Sequence, residues 1–587
     1  MLKKRPGDEN RRELRGLAAS PGLTYGTAVV CGVRDLSFTP EVVTDTEAEA
    51  RRLSSAVKVA VSELVGLKER VRLELGSETA HIFRSQQTIL EDAEILGEVF
   101  QEIREHYWCA EEAVRRIFGR YIELFRELGE EEHNRSRMAD LEDVYRRLLR
   151  VLLGEEELDF SKLGEGAIVV AEELFPSDTA VIDRESVHGF VTERGGMTSH
   201  VAILAKNLGI PAVVAVRRAT REIVEGSEIY LDVTDPDEGI VHVNPGGTAL
   251  RRLEERRQIY EERRERLARE GHLPPVTLDG RSVTVSANIS SVKEGERAVE
   301  LGAGSVGLFR TEFLFSAREE LPAEEEQFEV YRRVAEQFRA GYVILRTFDV
   351  GGDKPLASLP IPRQANPFLG YRAVRISLDH PQMFLDQLKA ALRASAYGNM
   401  KLMFPMISGP NEVDRILGIL EEARGALEKS GTPYDGAMEI GVMVEVPSAV
   451  LMAEEILDRV DFMSVGTNDL TQYLLAADRM NELIADYYQP YHPAVFRSIA
   501  TIVRAAHNRG KWVGVCGELA GMPPALPALL GLGVDELSMS PQLLPEAVHT
   551  IRTLSYREAE DVARELLTMD EEPRIKALLE RRSTGKE

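Results

Sequence analysis

One histidine stands between a pair of glycines and an apolar run. The segment from Gly195 to His200 is followed by the run from Val201 to Ala205. This pattern predicts a helix that begins at His200, with its N–H groups and positive dipole end facing a bound phosphoryl group. Neutral imidazole attacks phosphorus well near neutral pH. Because the chain has 11 histidines, the pattern alone makes His200 a candidate nucleophile, and a structural role is the alternative.

Arginines at the ends of strand-like runs form a second candidate feature. Arg310 and Arg346 each end such a run, and Arg479 follows another. Guanidinium groups bind phosphate and carboxylate through two parallel hydrogen bonds. If these ends converge, the set predicts a site for a small, strongly anionic substrate. For each arginine taken alone, a salt bridge to a nearby acid such as Glu312 or Asp349 is the alternative.

Two carboxylates and a thiol also follow strand-like runs. Glu445 and Asp469 supply the oxygen ligands that Mg²⁺ prefers, with further positions left for substrate and water. Capping of a helix that begins at Leu470 is the alternative for Asp469, but it does not explain Glu445. Cys516 is placed to donate or accept a proton, and a buried, inert cysteine is its alternative.

The elements that would position these residues differ between the two halves of the chain. The second half alternates eight strand-like runs with amphipathic helices, which favours a (β/α)8 barrel over an open doubly wound sheet. The first half has strand-like segments on both sides of a long stretch with helical periodicity, which predicts a helical bundle inserted into an α/β domain. The predicted bounds are 1–35 and 160–247 for the α/β domain, 36–159 for the bundle, 248–272 for a charged linker helix and 273–580 for the barrel.

Composition excludes several classes of protein. The net charge of −25 argues against a general nucleic-acid or anionic-membrane surface, so a phosphate site must be a local cluster of basic residues. The three cysteines are too few and too scattered for a disulfide framework. Since no apolar run approaches membrane-spanning length, we expect a cytoplasmic protein with no membrane contact.

Together these segments resemble enzyme I of the phosphoenolpyruvate-dependent phosphotransferase system. The resemblance covers nearly the whole chain and rests on motifs in family order, which include Gly16 to Gly22, Gly195 to His200, Gly307 to Phe315, Gly466 to Tyr473 and Cys516 to Glu518. It implies that phosphoenolpyruvate phosphorylates His200, with Thr179 near it. The phosphoryl group then passes to a histidine of the small phosphocarrier protein HPr or a paralogue, as the first step of sugar uptake.

The resemblance also implies roles for the barrel residues. Cys516 would donate the proton to the enol carbon, and Mg²⁺ would be bound by Glu445 and Asp469. Phosphoenolpyruvate would be bound by Arg310, Arg346, Arg372, Asn468, Asp469 and Arg479. The α/β domain would carry the phosphohistidine, the bundle would dock the phosphocarrier, and the barrel would form a homodimer.

Departures from the family pattern leave the acceptor open. Gln86 stands where sugar-system members often carry histidine, and Ala215 replaces a frequent glycine. A nitrogen-regulatory branch of the same system and a catalytically silent phosphoenolpyruvate sensor are therefore the alternatives. Pyruvate-phosphate dikinase and phosphoenolpyruvate synthase share the histidine segment and the barrel, but they need a large ATP-binding domain for which this chain has no room.

Overall fold

The chain divides into two compact units, residues 1–262 and 263–587. The computed structural model describes residues 12–31, 38–74, 81–127, 132–155, 164, 166–174, 186–196, 199–235, 237–315, 320–351, 358–359, 361–362, 364–479 and 481–584. Among these residues, no helix combines the length and the apolar character that crossing a membrane requires.

The first unit is built on a small closed barrel of mixed strands. Its strands follow the order β1-β5-β4-β3-β2-β6-β7, with β2, β3, β4 and β5 parallel and the remaining pairs antiparallel. The strands are β1 (Arg12–Ser20), β2 (Gly22–Cys31), β3 (Ala167–Ala171), β4 (Val187–Thr192), β5 (Ala212–Val214), β6 (Glu228–Val233) and β7 (Glu238–Val243). The expected strands after residue 160 are therefore confirmed within a few residues. The stretch from Gly16 to Gly22 contains the end of β1, Pro21 and the first residue of β2.

The described residues between β2 and β3 form five helices, as the inserted bundle predicts. They are α1 (Thr46–Glu74), α2 (His81–Leu90), α3 (Ala93–His106), α4 (Ala110–Glu127) and α5 (Glu132–Leu153). Leu53 and Leu64 are fully buried in the shared core of these helices. Helical periodicity continues from residue 82 to residue 99, but these residues belong to two helices, because the Asp92 carboxylate accepts the N–H groups of Glu94 and Ile95 and so begins a new helix.

The part of the first half that the structure describes contains three further helices. These are α6 (His200–Leu208), α7 (Ala219–Glu222) and α8 (Gly247–Glu270). The charged run predicted as a linker is the single helix α8, and the division between the two units falls within it. Gly271 follows the helix, and its N–H donates to the Leu267 carbonyl at 2.8 Å.

The second unit is a closed barrel of eight parallel strands, in the order β8 to β15 around the ring. The strands are β8 (Thr284–Ile289), β9 (Val306–Phe309), β10 (Val343–Arg346), β11 (Met400–Phe404), β12 (Ile440–Val444), β13 (Phe462–Val465), β14 (Trp512–Val515) and β15 (Glu536–Met539). All eight overlap the predicted runs. The (β/α)8 barrel is thus confirmed, and the open sheet is wrong.

Helices follow the barrel strands and pack their apolar faces on the outside of the sheet. They are α9 (Val292–Glu300), α10 (Glu324–Gln337), α11 (Val374–Asp379), α12 (Pro381–Ser395), α13 (Pro410–Ser430), α14 (Pro447–Leu451), α15 (Ala453–Leu457), α16 (Thr467–Leu475), α17 (Pro493–His507), α18 (Leu526–Gly531), α19 (Leu544–Thr553), α20 (Tyr556–Leu567) and α21 (Glu572–Thr584). This arrangement brings the C-terminal ends of all eight strands to one face, which we call the barrel mouth.

Candidate functional site

In the first unit, the helix α6 begins at His200, as predicted. Its buried residues Val201, Ala202 and Ala205 pack against the outside of the strands, which fixes the helix axis. Ser199 precedes the helix in extended conformation, and its buried hydroxyl has no hydrogen-bond partner among the described residues. The first N–H groups of α6 therefore lack a side-chain cap, which leaves them available to an anion.

A glycine turn leads into this helix. Gly195 has φ of +103°, which side-chain-bearing residues rarely adopt, and a Cβ there would stand 3.0 Å from the Ser199 hydroxyl oxygen. Thr179, expected near the histidine, lies outside the described residues. The glycine is thus required by backbone geometry where the chain enters the helix.

Ala215 follows β5 with φ of +58°, in the left-handed region that favours glycine. The family resemblance implies that glycine is frequent at this position. The structure gives the physical reason for that preference.

At the barrel mouth, Arg346 and Arg372 lie among buried acids. Arg346 donates to Glu312 Oε1 at 2.8 Å and pairs with Asp349 Oδ2 at 2.9 Å. Arg372 Nη2 lies 3.1 Å from both Asp349 Oδ1 and Asp469 Oδ2. Burial acts to lower the pKa of both guanidinium groups, but the surrounding carboxylates outweigh it and raise both values. The salt bridges of Arg346 to Glu312 and Asp349, the alternative to substrate binding for a single arginine, are therefore present.

The two carboxylates predicted to bind a metal lie on neighbouring strand ends. Glu445 follows β12 and is buried, and its Oε1 accepts the Met406 N–H at 2.6 Å. Burial, and then the nearby Asp469 and Asp349 carboxylates, raise the pKa of Glu445 to about 8. Such a shift indicates an excess of negative charge that a cation would relieve.

Asp469 lies in the first turn of α16, which begins at Thr467 after the capping position Gly466. The expectation that Asp469 caps a helix beginning at Leu470 is therefore wrong. Its Oδ1 is buried without a hydrogen bond among the described residues, and Arg479 Nη2 lies 3.7 Å away. An unsatisfied, buried carboxylate oxygen beside a second carboxylate fits the donor set of a Mg²⁺ site, with substrate and water as further ligands.

The remaining polar residues surround these acids. The Asn468 side chain exchanges hydrogen bonds with Glu518, donating to its carboxylate at 3.0 Å and accepting its N–H at 2.9 Å. Arg310 and Arg479 are exposed. Arg310 forms no salt bridge among the described residues, and although part of its side chain meets solvent, desolvation and then repulsion from Arg346 lower its pKa. Arg310 is therefore placed to meet an incoming anion.

Cys516 follows β14 at the same face. It is buried, and its Sγ lies 3.6 Å from the Val465 carbonyl oxygen. Burial raises the pKa of Cys516 to about 11, against a smaller lowering by the Ser464 hydroxyl and Arg346. The thiol thus keeps its proton at neutral pH, which suits a proton donor.

Three contributors to the site were not predicted as such from sequence. Asp349 joins the two buried arginines, Tyr473 accepts from Arg372 at 3.2 Å, and Met406 holds Glu445 from a backbone with φ of +58°. Asp349 entered the sequence analysis only as a local partner for an arginine. The conformation of Met406, which costs about 1 kcal/mol or more in a residue other than glycine, has no signature in the sequence.

Comparison with known proteins follows the same division of the chain. Three family models match: "PEP-utilising enzyme, N-terminal" over 15–137, "PEP-utilising enzyme, mobile domain" over 163–235 and "PEP-utilising enzyme, PEP-binding domain" over 264–556. A solved structure titled as an NMR solution structure of Enzyme I (nEIt) matches 42% of this chain and 99% of its own, with 33% identity and a TM-score of 0.38.

Curated relatives match over nearly their whole length. The phosphoenolpyruvate-protein phosphotransferases of Bacillus subtilis and Geobacillus stearothermophilus are each 42% identical over 95% of this chain, covering 97% and 96% of those proteins. That of Haemophilus influenzae is 38% identical over 97% of this chain and 98% of its own. Identity at this level over full length, on a barrel with the geometry described, places the chain in the family of phosphoenolpyruvate-protein phosphotransferases, the enzyme I family.

Proposed function

We propose that this chain transfers the phosphoryl group of phosphoenolpyruvate to its own His200, releasing pyruvate, and then to a histidine of a small phosphocarrier protein, HPr or a paralogue. In this proposal the chain catalyses the first step of the phosphotransferase system for sugar uptake. The observation that carries it is the barrel mouth, where arginines, two adjacent carboxylates and a protonated thiol converge. These are the groups that a phosphorylated enol needs for binding, charge neutralisation and protonation.

In this proposal each group has a task. Arg310 and Arg479, exposed at the mouth, bind the phosphate and carboxylate of the substrate together with Arg346, while Arg372 holds Asp349 and Asp469 in place. Glu445 and Asp469 would hold Mg²⁺, which supplies charge neutralisation for the phosphate and the departing enolate when bound.

The reaction consists of a phosphoryl transfer followed by a proton transfer. His200 attacks the phosphorus in line, and the P–O bond to the enol oxygen breaks. Cys516 then gives its S–H proton to the enolate carbon, which produces pyruvate. Because the thiol has a raised pKa, it remains protonated until the basic enolate carbon forms beside it.

The phosphoryl group passes between two parts of the chain that one helix connects. His200 and the barrel mouth belong to different units, and the helix α8 spans the division between those units. We therefore assign α8 the role of a swivel that carries the imidazole between phosphoenolpyruvate and the phosphocarrier. The barrel unit is also the part through which we expect a cytoplasmic homodimer to form, which sedimentation of the full chain can test.

The direct test is phosphorylation of the purified chain. Incubation with phosphoenolpyruvate and Mg²⁺ should add one acid-labile phosphoryl group, measured by intact mass. His200→Ala should abolish the added mass, whereas His188→Ala, a change at an exposed histidine of the same unit, should retain it. Full labelling of the His200→Ala chain would exclude the assigned nucleophile. Binding of phosphoenolpyruvate without labelling of the wild type would favour the silent sensor.

The acceptor needs its own test. Gln86, which replaces a frequent histidine, is fully buried and donates to Asp143 Oδ2 at 2.8 Å, so its side chain does not reach a docked protein. We therefore expect the phosphorylated chain to transfer to HPr despite this substitution. Transfer only to a nitrogen-branch carrier would instead place the chain in the regulatory branch.

A further inference from the structure

The interior of the barrel contains an apolar cluster and, beside it, a set of small or polar residues. Alternate residues of each strand point inward. The apolar cluster contains Leu308, Ile344, Met403 and Met443 of β9 to β12 together with Phe462 of β13 and Cys516, and Trp512 packs against it. The strands β13, β14, β15 and β8 also place small or polar residues inside, namely Ser464, Gly514, Glu536, Ser538 and Ser286. Cys516 stands at the mouth end of this second set, which we call the polar column.

Glu536 lies at the opposite, N-terminal end of the polar column. It begins β15, it is 1% exposed, and its Oε1 accepts the Tyr342 hydroxyl at 2.7 Å. Two glycines make space for the carboxyl group. A Cβ at Gly307 would stand 2.7 Å from Oε1, and a Cβ at Gly514 would stand 2.6 Å from Oε2. The carboxyl group of Glu536 therefore occupies space inside the barrel that side chains at positions 307 and 514 would fill.

Three oxygens in the polar column lack hydrogen bonds. Among the described residues, Glu536 Oε2, Ser464 Oγ and Ser286 Oγ are buried and have no partner. Buried polar groups of this kind are nearly always hydrogen-bonded, and to water where protein offers nothing. Glu536 Oε2 and Ser464 Oγ border the same space, since the Cβ position at Gly514 is 2.6 Å from the first and 3.3 Å from the second.

Ser464 connects this space to the thiol. Ser464 is paired with Gly514, two residues before Cys516, and the carbonyl oxygen of the next residue, Val465, accepts the Cys516 N–H at 3.0 Å and lies 3.6 Å from its Sγ. The Ser464 hydroxyl also acts to lower the pKa of the thiol, against the larger effect of burial. Cys516 is itself 2% exposed. A line of polar groups therefore runs from the Glu536 carboxyl, past Gly514 and Ser464, to the thiol at the mouth.

We propose that Glu536 is the proton reservoir of Cys516, linked to it through Ser464 and water bound in the polar column. The inference rests on the proposed function, in which Cys516 protonates the enolate. The C–H bond of pyruvate forms as the S–H bond breaks, leaving a thiolate. The thiolate regains its proton as the O–H bond of the Glu536 carboxyl breaks, while the intervening hydroxyl and water each accept one proton and donate one. The carboxylate is protonated again from water of the solvent after product leaves.

The charged groups around Glu536 and Cys516 are consistent with proton transfer from the carboxyl to the thiolate. Burial raises the pKa of Glu536, opposed by the Tyr342 hydroxyl, Ser286 and Lys401. The groups that face Cys516 include Arg346, which opposes the raised pKa of the thiol, and Glu445, which supports it. Burial therefore favours the protonated form of the Glu536 carboxyl inside the barrel.

Isotope exchange tests the reservoir without any phosphocarrier. The full chain is incubated in deuterium oxide with Mg²⁺, phosphoenolpyruvate and ¹³C-labelled pyruvate. Transfer of ¹³C into phosphoenolpyruvate measures reversal of the phosphoryl step, and deuterium in the pyruvate methyl group measures exchange of the thiol proton. In the wild type both should proceed together. In Glu536→Gln, the ratio of deuterium to ¹³C exchange should fall by about 10²-fold, the scale of one lost acid–base group.

Two variants separate this role from a structural one. Ser464→Ala leaves the carboxyl in place but breaks the line, so it should lower the same ratio. Tyr342→Phe removes the hydrogen bond to Glu536 without removing its proton, so it should leave the ratio unchanged. The proposal that Glu536 is the proton reservoir would be overturned by either of two results. One is an unchanged ratio of deuterium to ¹³C exchange in both Glu536→Gln and Ser464→Ala, and the other is an equal loss of that ratio in Tyr342→Phe. Absence of ¹³C exchange in the wild type would instead refute the proposed function.

Discussion

Arg372 is a buried cation that joins two carboxylates, and its replacement by methionine should destabilise the barrel unit. Its Nη2 lies 3.1 Å from an oxygen of Asp349 and 3.1 Å from an oxygen of Asp469, and the residue is 7% exposed. Methionine retains much of the side-chain volume but removes the charge. Because loss of Arg372 leaves Asp349 to Arg346 alone and Asp469 to the more distant Arg479, we expect Arg372→Met to lower the free energy of unfolding by about 3 kcal/mol, the lower end of the range for a broken buried pair.

An exposed ion pair of the same kind provides the matched control. Arg459 donates to the two oxygens of Asp414 at 2.7 and 3.1 Å, on the surface of the same barrel unit. Its contacts are at least as short as those of Arg372, but solvent screens them. Arg459→Met should therefore lower the free energy of unfolding by only about 0–1 kcal/mol.

Urea unfolding in EDTA measures both variants. Trp512 lies in the barrel unit and Trp108 in the first unit, so a Trp108→Phe background restricts the fluorescence signal to the barrel. Mg²⁺ should restore more stability to Arg372→Met than to the parent, because a cation is then the remaining compensation for the acids. Equal losses in the two arginine variants would refute the argument that burial gives the Arg372 pair its large effect.

Three further predictions concern pH, chemistry and backbone strain. Burial and Asp143 raise the pKa of Asp140 to about 6, so the bundle should lose stability as pH rises from about 4 to 7, and Asp140→Asn should remove about 1.4 kcal/mol of that dependence between melts at pH 5 and pH 8. Cys516→Ala should slow pyruvate formation by about 10²-fold while calorimetry shows unchanged binding of phosphoenolpyruvate; unchanged turnover would remove the thiol from the mechanism. Ala215→Gly should raise the free energy of unfolding of the first unit by about 0.5–1 kcal/mol, because φ of +58° strains alanine.

Much of the fold follows from local sequence signals. Each barrel strand is a short apolar run bounded by polar or glycine residues, so its existence and its C-terminal end are visible in the chain. The ends in turn place Arg310, Arg346, Glu445 and Cys516 at one face once the barrel closes. Closure itself follows from eight alternating strand and helix signals, a number typical of this barrel.

The parts that the sequence did not reveal depend on contacts between distant segments. Arg372 was implied by the family resemblance and not by a local pattern, since it is not at the end of a strand and its place at the mouth depends on pairing between its backbone and Gly351. Asp349 takes part in two ion pairs, of which only the one to Arg346 is local in sequence. Asp92 divides a continuous helical pattern because one carboxylate accepts two N–H groups, and periodicity does not report such a choice.

The balance of charge at the barrel mouth predicts that substrate and metal bind together. Arg346 and Arg372 are already compensated by Glu312, Asp349 and Asp469, so they offer a second anion little net attraction.

Phosphoenolpyruvate would bring further negative charge beside Glu445, whose pKa of about 8 already indicates crowding of acids. A divalent cation that neutralises Glu445 and Asp469 removes this repulsion. Because the coupling is reciprocal, each ligand then increases the affinity of the site for the other.

Calorimetric titration of the full chain with phosphoenolpyruvate should therefore show affinity at least about 10-fold higher with Mg²⁺ than with EDTA, a coupling of about 1.4 kcal/mol or more. Asp469→Asn, which removes one carboxylate charge, should reduce this ratio. Equal affinities with and without the cation would show that the buried acids do not control access of the anion, and that Arg310 and Arg479 at the exposed rim suffice to bind it.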